Sequence, residues 1–133
     1  MKALNLKKYL FSFTFLAFGV IALSANAQYP NKSVKMIVPF PAGQATDIFA
    51  RVVAEELTQM WGQAVIIDNK GGGNSIPGTV LAKDAPPDGY TLMMASSSIL
   101  TANPALYSNL PYEPKDFVMI NGVFIVPLLL VQN

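Results

Sequence analysis

The sequence predicts an α/β domain in which a mostly parallel sheet is flanked by helices, and three observations carry that prediction. Short apolar runs at residues 34–38, 64–67 and 90–95 alternate with segments of helical period. Each of these runs ends in a loop rich in Gly, Ser, Thr or Asn. Turn chemistry, above all Pro86-Pro87-Asp88-Gly89, separates one unit from the next. Strand–helix alternation of this kind implies parallel pairing with right-handed crossovers. Ligands of such sheets gather at the carboxyl ends of the strands, so three polar loops are expected along one edge.

Taken in order, residues 34–38 are short, β-branched and bounded by turn residues, as a buried strand requires. Residues 38–47, read V-P-F-P-A-G-Q-A-T-D, then run from strand through tight loop into helix. Pro39, Pro41 and Gly43 shape that loop, and Thr46 and Asp47 are candidate capping residues. The free N–H groups of such a turn favour an anion. From residue 47 to 61 the apolar Phe49, Val52, Val53, Leu57 and Met60 recur at helical steps opposite Arg51, Glu55 and Gln59, and Gly62 is the expected C-cap. A second buried strand at 64–67 is closed by Asp68 and Asn69 and followed by the glycine-rich loop 70–75. Pro77 suits the first turn of a second helix reaching about Lys83, with Asn74 or Ser75 as its cap. After the turn at 86–89, where Gly89 can take a positive φ, comes a third strand at 90–95. Ser96, Ser97 and Ser98 open a third helical stretch to Ala105, interrupted at Asn103-Pro104. Residues 110–115 read as an irregular crossing, and 117–124 and 128–131 as two further strands.

The beginning of the chain has a different character. Lys2, Lys7 and Lys8 precede an apolar run at 9–23 and the small residues Ser24-Ala25-Asn26-Ala27, the pattern of a secretory signal cleaved after Ala27. A spanning helix needs roughly 20 apolar residues, more than this run supplies. The expected organisation is therefore a signal at 1–27 and one α/β lobe at 28–133. With no cysteine, an exported chain of this kind fits a bacterial periplasm better than a disulfide-stapled extracellular scaffold. Loss of the three signal lysines turns the net charge of +1 into −2, which leaves nothing basic to attract nucleic acid.

Histidine and cysteine are both absent, which removes the commonest general base, metal ligands and thiol nucleophile. The acids Asp47, Asp68, Asp88 and Asp116 sit at element boundaries, where carboxylates usually cap. Catalysis is not expected, nor is a cofactor or a metal. In the loop G-G-G-N-S-I at 71–76, Ile76 stands where a dinucleotide fingerprint needs its third glycine, and no P-loop lysine follows. A ligand-binding loop and a flexible loop without a ligand both remain open.

Four ordered motifs then carry a resemblance: P-F-P-A-G-Q-A-T-D at 39–47, N-K-G-G-G at 69–73, P-D-G-Y at 87–90, and N-P-A-L-Y with L-P-Y-E-P-K-D-F within 103–117. Together they resemble the N-terminal part of the substrate-binding proteins of tripartite tricarboxylate transporters, the Bug family of periplasmic receptors. The resemblance implies a type II periplasmic-binding-protein fold, two α/β lobes closing on a small carboxylate, with delivery to the transporter's membrane subunits. It also implies ligand contacts from Phe40, Ala42, Gly43, Gln44, Thr46 and Asp47 in the first loop. Gly72, Gly73, Asn74 and Ser75 would lie beside it, and Ser96, Ser97 and Ser98 would stand at the end of the third strand. Phe40 as a core aromatic and Asp47 as a helix cap are the competing assignments. Family members usually carry a second glycine where this chain has Gln44. They are also much longer, and Asn133 falls about where the first lobe should cross to the second. An exported α/β hydrolase-like fragment using one of the three serines, and a non-functional truncated product, are the alternative readings.

Overall fold

The computed structural model describes residues 29–125. Its centre is a three-stranded parallel sheet of order β2-β1-β3, with β1 at Val34–Val38, β2 at Val65–Asn69 and β3 at Thr91–Met93. Helix α1, Ala45–Trp61, connects β1 to β2, and helix α2, Ile76–Lys83, connects β2 to β3 across the central strand. Short helices α3, Ser97–Leu100, and α4, Ala102–Leu106, follow the sheet. The predicted α/β class and the parallel pairing are both present.

Register explains the layers. Met36 lies opposite Ile67 on one side and Leu92 on the other. This face packs with Val38, Ala50, Val53, Leu57, Val65 and Met94 into one apolar cluster beneath α1. Two residues of that face, Met36 and Val38, are essentially inaccessible, and full burial of a side chain of this size contributes roughly 1.5–3 kcal/mol. By strand alternation Ile37 and Pro39 point to the opposite face. There α2 comes so close that a Cβ at Gly78 would lie 2.8 Å from the Pro39 Cβ and 2.7 Å from the Lys70 carbonyl oxygen.

The helix α1 keeps its expected end and only part of its expected face, Val53 and Leu57. Gly62 takes the left-handed conformation, φ 64°, and its N–H closes on the Thr58 carbonyl. The side turned to the sheet, however, is Thr46, Asp47, Ala50, Val53, Ala54 and Leu57, while Phe49, Val52 and Met60 are exposed. Small alanines let the helix axis approach the sheet, so the larger apolar residues end up beside the contact. Phe49 instead stacks on Phe124, with ring centroids 4.1 Å apart.

Two other expectations are corrected. The break in the third helical stretch lies at Thr101, φ −122°, and not at Asn103-Pro104. Pro104 sits in the first turn of α4, where its missing N–H has no intrahelical acceptor to lose. The stretch 117–124 forms no strand, and Val118, Met119 and Ile120 are largely exposed. Local apolarity makes a strand possible, but a ladder partner makes it real, and no described segment pairs with the outer side of β3. The expected strand at 128–131 lies outside the described residues.

Candidate ligand-binding site

The ends of three parallel strands bring their loops to one edge, and hydrogen bonds beyond the strands keep them side by side. Lys70 N–H donates to the Val38 carbonyl at 2.8 Å, and Met94 N–H donates to the Ile37 carbonyl at 3.0 Å. Because β1 is central and its neighbours lie on opposite sides, the crevice between the loops after β1 and β3 is the usual ligand position for this topology.

The first loop is organised by Asp47, which is the third residue of α1 rather than its cap. Gln44 is the N-cap, in ordinary extended backbone at φ −77° and ψ 162°, and its side chain makes no capping bond. Asp47 is buried. One carboxylate oxygen accepts from Gly43 N–H at 2.8 Å and from Arg51 Nε at 3.0 Å, and the other accepts from Asn69 Nδ2 at 2.9 Å. Asn69 Nδ2 also donates to the Phe40 carbonyl at 3.2 Å, while its oxygen accepts from the Arg51 guanidinium at 3.2 Å. Hydrogen bonding by Arg51, then by Gly43 and Asn69, lowers the Asp47 carboxyl to about 2. Its charge is thereby paired with that of Arg51, which offsets its repulsion of a second anion at the helix end. The first-turn N–H groups of α1 have no intrahelical acceptors and lie at the positive end of the helix.

The second loop is built on left-handed backbone. Gly72, Gly73, Asn74 and Ser75 all have positive φ, at 102°, 51°, 52° and 68°. Ser75 N–H closes on the Gly72 carbonyl at 2.9 Å, and Thr79 Oγ1 donates to the Ser75 carbonyl at 2.7 Å. Ser75 is the N-cap of α2 by position, but its hydroxyl makes no capping bond. A Cβ at Gly71 would stand 2.6 Å from the Pro41 ring, so the first two loops touch. In the third loop Ser96 is the N-cap of α3, and its hydroxyl lies 2.5 Å from that of Ser98.

The thirteen residues proposed from sequence therefore divide. Ala42, Gly43, Gln44, Gly72, Gly73, Asn74, Ser97 and Ser98 are exposed at the loop edge, and Phe40 and Ser96 are half-buried. Thr46, Asp47 and Ser75 are buried, with Asp47 spent on holding its own loop. Sequence reasoning passed over Asn69 and Arg51 as site residues. The signal available was a strand-ending Asn one residue before the glycine run, in N-K-G-G-G. Among the described residues no group of three or more His, Cys, Asp or Glu residues is placed to hold a metal. A shallow cavity of about 270 Å³, lined by Lys32, Lys35, Ile66, Tyr90 and their neighbours, lies at the opposite, amino ends of the strands.

A parallel sheet with three polar loops at the carboxyl ends of its strands is the usual ligand-binding arrangement of α/β lobes. Residues 49–133 match the model of the tripartite tricarboxylate transporter family receptor, and the chain belongs to that family. Protein BugT of Bordetella pertussis is 40% identical over 122 residues, an alignment covering 90% of this chain and 37% of BugT. An alignment of that extent necessarily includes the first loop. The solved structure of the periplasmic binding protein BugD is 41% identical with a TM-score of 0.60, covering 65% of this chain and 28% of BugD. The structure of MatC from Rhodopseudomonas palustris with bound malate is 30% identical with a TM-score of 0.57, covering 67% of this chain and 31% of MatC. The chain thus spans little more than a third of the length of BugT.

Proposed function

We propose that the chain forms the first lobe of a periplasmic receptor for a small carboxylate, exported by the signal at residues 1–27 and serving the membrane subunits of a tripartite transporter. The observation that carries this reading is the ionised Asp47, paired and hydrogen-bonded within its own loop. The loop edge offers helix N–H groups, glycine backbone and hydroxyls to an anion, while its one buried acid is already matched by Arg51, Gly43 and Asn69. Family membership and the malate bound by MatC support the same chemistry, a dicarboxylate being the ligand class of first choice. Ala42, Gly43 and Gln44 are the contacts proposed from the first loop, Gly72, Gly73 and Asn74 from the second, and Ser97 and Ser98 from the third. The hydrolase reading gains no support from Ser96, whose hydroxyl partner is another serine and not a base.

Thermal unfolding of the full-length gene product with a panel of mono-, di- and tricarboxylates tests the proposal. A true ligand at a hundred times its Kd stabilises the native state by about 2.7 kcal/mol. Dicarboxylates are expected to raise the midpoint most. A flat response to every acid would overturn the receptor reading.

A further inference from the structure

The motif N-P-A-L-Y places two polar side chains, Asn103 and Tyr107, on the second loop, and the following L-P-Y supplies Tyr112 behind Asn103, although all three lie far from that loop in sequence. Asn103 is buried in the first turn of α4. Its Nδ2 donates to the Asn74 carbonyl at 3.0 Å and to the Tyr112 hydroxyl at 2.9 Å. The buried Tyr112 hydroxyl in turn donates to the Ile99 carbonyl at 2.9 Å. From the solvent side, the Asn74 amide donates to the Tyr107 hydroxyl. Asn74 is thus gripped at backbone and side chain, and it stands in the middle of the left-handed run, at φ 52°. L-residues avoid that conformation, so a run of two needs support from outside the loop.

We propose that Asn103, seated by Tyr112 and assisted by Tyr107, is a positioning residue that holds Gly73–Ser75 in the left-handed form presented at the ligand edge. The inference rests on the receptor reading for its consequence, but the clamp itself concerns only the loop. It also couples the loops: α3, which begins at Ser97, carries Ile99, so the same network ties the second loop to the third.

The test uses the full-length gene product, carbon and amide NMR of the loop, and malate as the probe. Asn103→Ala is expected to erase the left-handed carbon shifts of Asn74 and Ser75 and to speed exchange of the Ser75 amide roughly tenfold. It should weaken malate binding by about tenfold as well. Tyr107→Phe, which removes one exposed hydroxyl and does not threaten folding, should give a smaller change in the same direction. The decisive variant adds Asn74→Gly to Asn103→Ala, because glycine adopts a positive φ freely. Restored Ser75 protection in the double variant supports the clamp. An unchanged loop in Asn103→Ala, or no rescue by glycine, overturns it. If unaltered protein ignores malate and every other acid, the receptor reading falls while the loop spectra still decide the clamp.

Discussion

The loops after β1 and β2 leave the same sheet edge and touch each other, yet they are held by opposite means. The first uses charge: Asp47 gathers Gly43, Arg51 and Asn69, and within 39–44 only Gly43 has a positive φ. The second uses shape: three successive left-handed residues, Gly73 to Ser75, are supported by the neutral side chains of Asn103 and Tyr107. A loop fixed by ionised groups answers to pH. One fixed by amides and phenols does not, but it carries backbone strain of roughly 1–2 kcal/mol for each non-glycine left-handed residue. Asp47 and Asn74 therefore offer separate handles on neighbouring parts of one edge.

The largest expected effect comes where the two supports share a footing. Gly78 of α2 faces Pro39 of the first loop and the Lys70 carbonyl of the second, and a Cβ there would meet both within 2.8 Å. Neither a proline ring nor a backbone carbonyl can swing away. Gly78→Val should destabilise the protein by about 3 kcal/mol in chemical denaturation and disturb both loops together. A loss of less than about 1 kcal/mol would show that the loops are not anchored through α2.

Acid should separate what Gly78 joins. The Asp47 carboxyl is lowered from 3.8 to about 2, so the unfolded chain binds this proton more readily than the native one. Its contribution is complete above 3.8 and is lost as the pH falls through about 2. Amides of the first loop are expected to lose exchange protection across that window, while those of the second keep theirs until global unfolding. Asp47→Asn should remove this part of the pH dependence and leave the second loop unaltered. Simultaneous loss of both loops in acid would mean that they are not independently supported.

Much of this architecture was legible in local sequence. The β-branched run of β1, the Gly62 cap, Pro77 at the start of α2 and the positive φ of Gly89 follow from residue types within a few positions of each other. The failures share a cause. Asp47 has two local partners, Gly43 and Arg51, four positions to either side, but its third, Asn69, is 22 positions away, and Asn74 is held by Asn103, 29 positions away. No local pattern encodes such partners. The stretch 117–124 failed similarly, because its apolar residues state what is able to pair and not what lies alongside. On α1 the helical period holds, with Val53 and Leu57 toward the sheet, but the most buried positions there include the small Ala50 and Ala54, which side-chain size does not single out.

Backbone strain in the second loop sets a smaller effect. Asn74→Ala removes the side-chain contact with Tyr107 and places an ordinary residue at φ 52°, while Asn74→Gly removes the same contact without strain. The difference between the two variants isolates the backbone term, and it should be about 1 kcal/mol in favour of glycine by denaturant unfolding. Equal stabilities would mean that the left-handed run relaxes when Asn74 is replaced, and the contrast between a charged loop and a strained one would lose its second half.

The smallest effect on stability is expected at Gln44, and it is informative for that reason. The position is extended at φ −77°, so it does not require glycine, and its side chain neither caps α1 nor lies buried. Gln44→Gly should shift the unfolding free energy by less than about 0.5 kcal/mol, since glycine is an acceptable N-cap. The Asp47 network would still hold the loop. What remains for the amide of Gln44 is the solvent side of the edge, where the ligand is proposed to sit. The same variant should therefore alter the order in which di- and tricarboxylates raise the thermal midpoint. Stability and ligand order both unchanged would make Gln44 a bystander. A loss above about 1 kcal/mol would show instead that its side chain helps hold the loop, and that charge is not the first loop's only support.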